Sequence, residues 1–154
     1  MSGHMYHSGL DGWGDWTVSA HEWLLLQSSY VPDIAHAVIA DVASFEVSVS
    51  GYARQALTGA VRVDAYAYFH GFAYGATSPA WAGLGAGQSV STLVLARTDG
   101  VTDTLLAWWD LNVMTDVSDL TLTFEPWQDR NGGALPGGTT ETRLVHLYEA
   151  PGLG

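Results

Sequence analysis

Two groupings in this chain are the first places to look for chemistry. His4 and His7 stand three apart, and Asp99 and Asp103 stand four apart in Asp99-Gly100-Val101-Thr102-Asp103. Histidines at ligand spacing can begin a zinc site, and acids spaced along a glycine-bearing loop can begin a calcium site. Neither is completed. His21, His36, His70 and His146 are scattered singly, so no second ligand pair joins the first. The acidic loop lacks a third acid, and Asp110 stands where a calcium loop would carry its bidentate glutamate. Solvated or structurally bonded histidines and a hairpin turn are the better reading.

Catalytic constellations are equally sparse. Carboxylate pairs for glycosidic hydrolysis could be drawn from Glu22, Glu46, Asp64 and Asp110, but any acidic β protein offers such pairs. There is no Gly-x-Ser-x-Gly elbow, and the serines fall in alternating or turn-like stretches. Gly83-Leu84-Gly85-Ala86-Gly87 leads into no helix and no Gly-Lys-Ser/Thr triplet, so it cannot cradle phosphate. The absence of cysteine excludes disulfides, thiolate zinc sites and a cysteine nucleophile. No cofactor, metal or enzymatic activity is expected.

The seven tryptophans offer a different chemistry. Trp13, Trp16, Trp23, Trp81, Trp108, Trp109 and Trp127 could in part form a sugar-stacking platform on a β-sandwich. Trp108 and Trp109 are adjacent in a predicted strand, so they point to opposite faces of a sheet. If one is core, the other is covered by a second layer of this chain, by a neighbouring subunit or by a ligand.

The elements that must position these residues are mostly extended. With 154 residues the chain suits one domain. A first strand falls between Thr17 and Tyr30, ended by the turn Tyr30-Val31-Pro32-Asp33, and Asp33 is placed to cap a helix over Ile34–Ala43. Strands follow at Phe45–Ser50 and Ala53–Leu57 around Gly51-Tyr52, then at Val61–Val63 and Tyr66–Tyr74. Gly75–Gln88 reads as a loop anchored by Trp81. Ser89–Arg97 and Thr104–Leu111 form a hairpin across Thr98-Asp99-Gly100, and Leu120–Phe124 and Arg143–Tyr148 close the pattern. About eight short strands spaced roughly ten residues apart predict an all-β, antiparallel sandwich or barrel with one short helix and flexible terminal arms. The boundaries are an N-terminal arm at 1–16, a β domain at 17–138, and a C-terminal strand and tail at 139–154. The opening Ser2-Gly3-His4-Met5 reads in part as an expression leader.

Charge narrows the partners. Five arginines, no lysine and sixteen acids give a net charge of −11, which repels phosphate backbones and anionic membranes alike. No run approaches the ~20 apolar residues of a membrane span, and no basic-then-apolar secretory leader is visible. Only 14% of residues are charged against 47% hydrophobic, so much of the surface is neutral or apolar, as in a protein that assembles.

One resemblance rests on specific residues. From Ser29 to about Ala134, roughly two-thirds of the chain, the order of pieces resembles a widespread group of small structural proteins encoded in tailed-phage virion gene clusters. It is carried by Tyr30-Val31-Pro32-Asp33, by the short acidic helix-like segment His36–Asp41-Val42, and by Glu46-Val47-Ser48-Val49-Ser50-Gly51-Tyr52 with Ala53-Arg54-Gln55 and Leu57-Thr58-Gly59 after it. The later hairpin and the alternating Leu120–Phe124 also match. The lysine-containing opening common in that group is replaced here by the histidine- and tryptophan-bearing arm, and Thr139–Gly154 has no counterpart. The resemblance implies a non-enzymatic virion component, a head decoration, minor capsid or tail protein. The acidic composition favours the outer capsid surface, where a decoration protein is expected to bind the major capsid protein and itself as a homotrimer. On that reading Trp13, Trp16, Tyr52, Arg54, Arg143 and Tyr148 are the candidate partner-binding residues. The alternative is a tail-associated, host-receptor- or carbohydrate-binding sandwich.

Overall fold

The computed structural model describes residues 3–8, 20–64, 71–98, 102–122 and 142–148, with the side chains of 61–64, 71–74 and 142–148 outside the description. The fold is all-β with one short helix. The chain falls into two compact units, Met1–Leu57 with Pro79–Leu122, and Thr58–Ser78 with Thr123–Gly154. These divisions differ from the predicted 1–16, 17–138 and 139–154. Strand pairing joins 61–64 to 71–76, and 71–76 to 142–148 across the intervening chain.

The first unit is built on a five-stranded antiparallel sheet in the order β1-β8-β7-β2-β3. Its strands are β1 (Gly3–Met5), β2 (His21–Gln27), β3 (Gln55–Ala56), β7 (Ser89–Arg97) and β8 (Thr104–Met114). The two-residue strands β6 (Ala80–Trp81) and β9 (Leu120–Thr121) pair separately in the same unit. The second unit holds β4 (Val61–Asp64), β5 (Gly71–Ala76) and β10 (Thr142–Tyr148), ordered β10-β5-β4.

The middle of the large sheet explains its own sequence. Trp23-Leu24-Leu25-Leu26 in β2, Leu93-Val94-Leu95-Ala96 in β7 and Leu105 to Trp109 in β8 are all buried, with no polar alternation. Continuous apolar runs are what strands covered on both faces require. On one face Leu24, Leu26, Val94, Ala96, Leu105 and Trp108 join Tyr6, Tyr30, Ile39 and Val42 in one cluster, with Phe45 against it. On the other, Trp23 and Trp109 pack with tilted rings 5.4 Å apart.

Several local expectations are corrected. The helix α1 covers only Ile39–Val42. Ala37 and Val38 are claimed by β8 instead: Leu105 N donates to Ala37 O, Ile39 N donates to Asp103 O, and Val38 bridges Thr104. Asp33 caps a turn through Ala35 N, and it is Asp41 that accepts from the N–H groups of Ala37 and Val38. Those two bonds hold the Asp41 carboxyl below its ordinary range. β2 ends at Gln27, before Pro32. Phe45–Ser50 is not a strand: Ala43–Phe45 is a 3-10 turn, and Glu46 makes a single bridge to Leu26. Phe45–Ser50 and Ala53–Leu57 therefore form no hairpin with each other, because both lie along the edge of β2. Part of the predicted unstructured arm is a strand, since Gly3–Met5 pairs with Trp109–Ala107. The hairpin Ser89–Arg97 with Thr104–Leu111 is found, its second strand extended to Met114.

Val117 is the one non-glycine residue among those described with a positive φ, 67°. A β-branched side chain there is strained by about 1–2 kcal/mol, yet Val117 is 67% exposed and fills no core position. Val117→Gly should therefore raise stability by about 0.5–1 kcal/mol, the relief of strain being partly offset by the freer unfolded chain. A urea midpoint that falls would contradict this.

Candidate functional site

The densest polar cluster among the described residues lies where the Glu46–Arg54 segment meets the edge of β2. Arg54 grips Glu46 with two bonds, Nε to Oε1 and Nη2 to Oε2, both 2.8 Å. The Tyr52 hydroxyl donates to Glu46 Oε1 at 2.8 Å and accepts from the backbone N–H of Leu25 at 3.1 Å. Glu22 Oε2 stands 3.9 Å from Arg54 Nη1. Burial opposes the charge on Glu46, but the bonds from Arg54 and Tyr52 outweigh it and hold the carboxyl below its ordinary range. Burial pushes the Tyr52 phenol upward, so it stays a protonated donor.

The edge of β2 explains why these groups converge. Its backbone is paired by β3 at Glu22 and Trp23 and by Glu46 at Leu26. Between those points Val47 N reaches Leu25 O at 2.9 Å, and the Tyr52 hydroxyl serves Leu25 N. A side chain thus completes the ladder where no strand runs, satisfying a backbone donor that burial would otherwise penalise. Gln27 Nε2 bonds Glu46 O at 2.9 Å, and Trp81 Nε1 bonds Ala53 O at 2.7 Å. Gly51 turns the segment with φ 78°, and a Cβ there would lie 3.0 Å from Gly83 O. Glycine is needed on both counts.

The arrangement is a clasp, not an acid–base pair. Of the carboxylates considered for hydrolysis, Glu22 and Glu46 both approach Arg54, through different nitrogens of its guanidinium. Asp110 is on β8, two strands from β2, and is bonded to His4 at 3.2 Å, and the Asp64 side chain lies outside the described residues. No group of three or more His, Asp or Glu side chains gathers for a metal among the described residues. The glycine-rich loop is held by its neighbours: Gly85 N donates to Ser50 O, Gly87 N to Thr115 O, and Gly83 N to an Asp119 carboxylate oxygen.

The candidate partner-binding residues are divided by the structure. Tyr52 and Arg54 are brought together, turned inward on Glu46. Arg143 and Tyr148 stand in β10 opposite Gly75 and Gly71, with their side chains outside the described residues. Trp13 and Trp16 also lie outside. Trp23, Trp81, Trp108 and Trp109 are each at most 6% exposed, so none of the four is a stacking platform. Trp108 and Trp109 point to opposite faces, and both are buried within this chain.

A second cluster escaped sequence reasoning. The Tyr6 and Tyr30 hydroxyls bond at 2.9 Å, and the Tyr30 hydroxyl bonds His36 Nδ1 at 3.1 Å. The Tyr6 ring lies 4.5 Å from Trp108, and His4 stacks on the same indole at 5.1 Å. The only available signal was the tyrosine between two histidines in His4-Met5-Tyr6-His7, which has no period to mark it as a strand.

No family model, curated protein or solved structure matches this chain.

Proposed function

We propose that this chain is a non-enzymatic bacteriophage virion structural protein, a capsid decoration protein that binds the outer head surface as a homotrimer and stabilises the lattice. The observation that carries this reading is the role of the residues behind the phage resemblance. Glu46, Gly51 and Tyr52 build the clasp on β2, so that stretch is used as scaffold. Two further features support it. A net charge of −11 without lysine suits the outside of a head better than contact with packaged DNA. Val31, Ile34, Met114 and Val117 are large apolar residues at least 48% exposed, available to an assembly contact.

The mechanism is linkage. A protein that binds the assembled lattice and not its free subunits raises lattice stability as its sites fill. Full-length protein should co-sediment with purified heads of the encoding phage, saturate, and raise their disruption temperature. Light scattering should give a trimer mass, three times 16.5 kDa, at low and high salt. Binding to purified tails and not to heads would overturn the decoration role. A saturable tryptophan-fluorescence response to cell-wall glycans would favour the carbohydrate-binding alternative, which among the tryptophans would have to rest on Trp13, Trp16 or Trp127.

A further inference from the structure

Tyr6, Tyr30 and His36 form one hydrogen-bonded line from the core towards the surface. The Tyr6 and Tyr30 hydroxyls meet at 2.9 Å, and the Tyr30 hydroxyl meets His36 Nδ1 at 3.1 Å. Tyr6 is fully buried and Tyr30 is 3% exposed. His36 is half-buried and stacks on the Tyr30 ring, centroids 5.8 Å apart. Both tyrosines belong to the cluster over Leu24, Val94 and Trp108. The line also ties two stretches of chain to the sheet. Tyr6 N donates to Leu106 O in β8, and His7 N donates to Ile34 O between Tyr30 and His36.

Counting hydrogens fixes how the line is wired. Two bonds need two hydrogens, and the two hydroxyls supply them. Among the described residues the Tyr6 hydroxyl has the Tyr30 oxygen as its one partner, so it donates there. Tyr30 O–H donates onward, and His36 Nδ1 is the accepting nitrogen, with the ring hydrogen on Nε2. Burial pushes both phenols upward, so neither gives up its hydrogen to accommodate a charged ring. A proton added at Nδ1 places three hydrogens in two bonds. Either His36 turns away and Tyr30 O–H loses its acceptor, or the line reverses and Tyr6 O–H is stranded in the core.

Nearby carboxylates act the other way. On the elements around His36 the titratable side chains are Asp33 and Asp41 on its own stretch, His7 in the opening segment, and Asp103, which is bonded to Ile39 N through its backbone carbonyl. Asp33 and Asp41 are exposed, and Asp41 already accepts from the N–H groups of Ala37 and Val38. An exposed ion pair in water returns less than a buried donor loses when its bond is broken. The folded state therefore favours the neutral ring.

We propose that His36 is a proton-operated latch on this face of the sheet: neutral, it holds residues 3–8 and 30–36 over Trp108, and protonated, it loosens both. Imidazole is the side chain that changes charge between about pH 5 and 8. The latch's contribution is complete above that range and is lost as pH falls through it. It is independent of the capsid reading.

His4 bears on the same segment with the opposite sign, since its bond to Asp110 strengthens when the ring is charged. The test therefore uses full-length protein carrying His4→Gln and His7→Gln, with and without His36→Gln. Hydrogen exchange of the amides at positions 6 and 7, corrected for the intrinsic effect of pH, reports the loosening. Protection should fall roughly tenfold between about pH 7.5 and 5, in step with the titration of the His36 ring, while surface carboxylates stay charged. With His36→Gln it should stay level. Ring nitrogen shifts should place the hydrogen of neutral His36 on Nε2. Protection that does not fall, or that falls equally with His36→Gln, would overturn the proposal, and so would a neutral ring with its hydrogen on Nδ1. Should His36→Gln not fold, Tyr30→Phe removes the middle hydroxyl and leaves the ring in place. The fall should vanish there too, and its persistence would overturn the latch equally.

Discussion

Truncating Trp108 or Trp109 to alanine should lower stability by about 3–5 kcal/mol in each case, and by similar amounts. The two indoles are adjacent in β8 and face opposite ways, yet they are only 6% and 4% exposed. Trp108 packs under His4 and Tyr6 within the cluster that includes Ile39 and Val42. Trp109 meets Trp23 and lies beneath Gly3. Each truncation leaves a cavity that a paired strand cannot close by collapsing. For a chain of this size the loss corresponds to a fall in Tm of roughly 6–20 °C. Far-UV circular dichroism in a urea series measures it without depending on the tryptophans themselves. A loss under about 1 kcal/mol at either position would mean that its indole faces solvent, which would reopen the ligand-platform reading.

Arg54→Ala should cost about 2–3 kcal/mol. The Glu46 side chain is 16% exposed and would keep its charge with only Tyr52 to bond it, and charged groups left under-bonded near the interior are expensive. The Arg54 side chain, at 31% exposed, keeps enough solvent contact to hold the figure below that of a fully buried pair. Glu46→Gln should cost less, because an amide oxygen can still accept from Tyr52. The pH dependence has a definite sign. The folded-state Glu46 carboxyl lies below its ordinary value because Arg54 and Tyr52 outweigh burial. Its contribution is therefore complete above the ordinary glutamate range and is lost as pH falls through the lowered folded value. The wild type should lose stability in acid more steeply than Arg54→Ala, and the two should converge near the bottom of the range. Parallel curves would show that the clasp is not what holds the Glu46 charge.

The sequence by itself determined the strands whose local pattern is strong. Ser89–Arg97 was read to the residue, and its partner β8 was placed from its start, because a long apolar run bounded by a turn encodes a strand within itself. The all-β class follows from the same kind of signal repeated along the chain. The opposite facing of Trp108 and Trp109 was also legible, since a period of two is built into any strand.

What covered those two indoles was not legible, and neither was the clasp. Phe45, Val47 and Val49 alternate as a strand would, but Glu46, Tyr52 and Arg54 are drawn onto β2, and the Tyr52 bond reaches back 27 positions to Leu25. The opening segment has no period at all and becomes a strand because β8 offers it a ladder, with His4 meeting Asp110 across 106 positions. Ala37 and Val38 left the predicted helix for the same strand. In each case a backbone or side-chain group was claimed by a partner distant in sequence. Local periodicity reports which residues want burial, and only the tertiary structure decides which edge satisfies their hydrogen bonds.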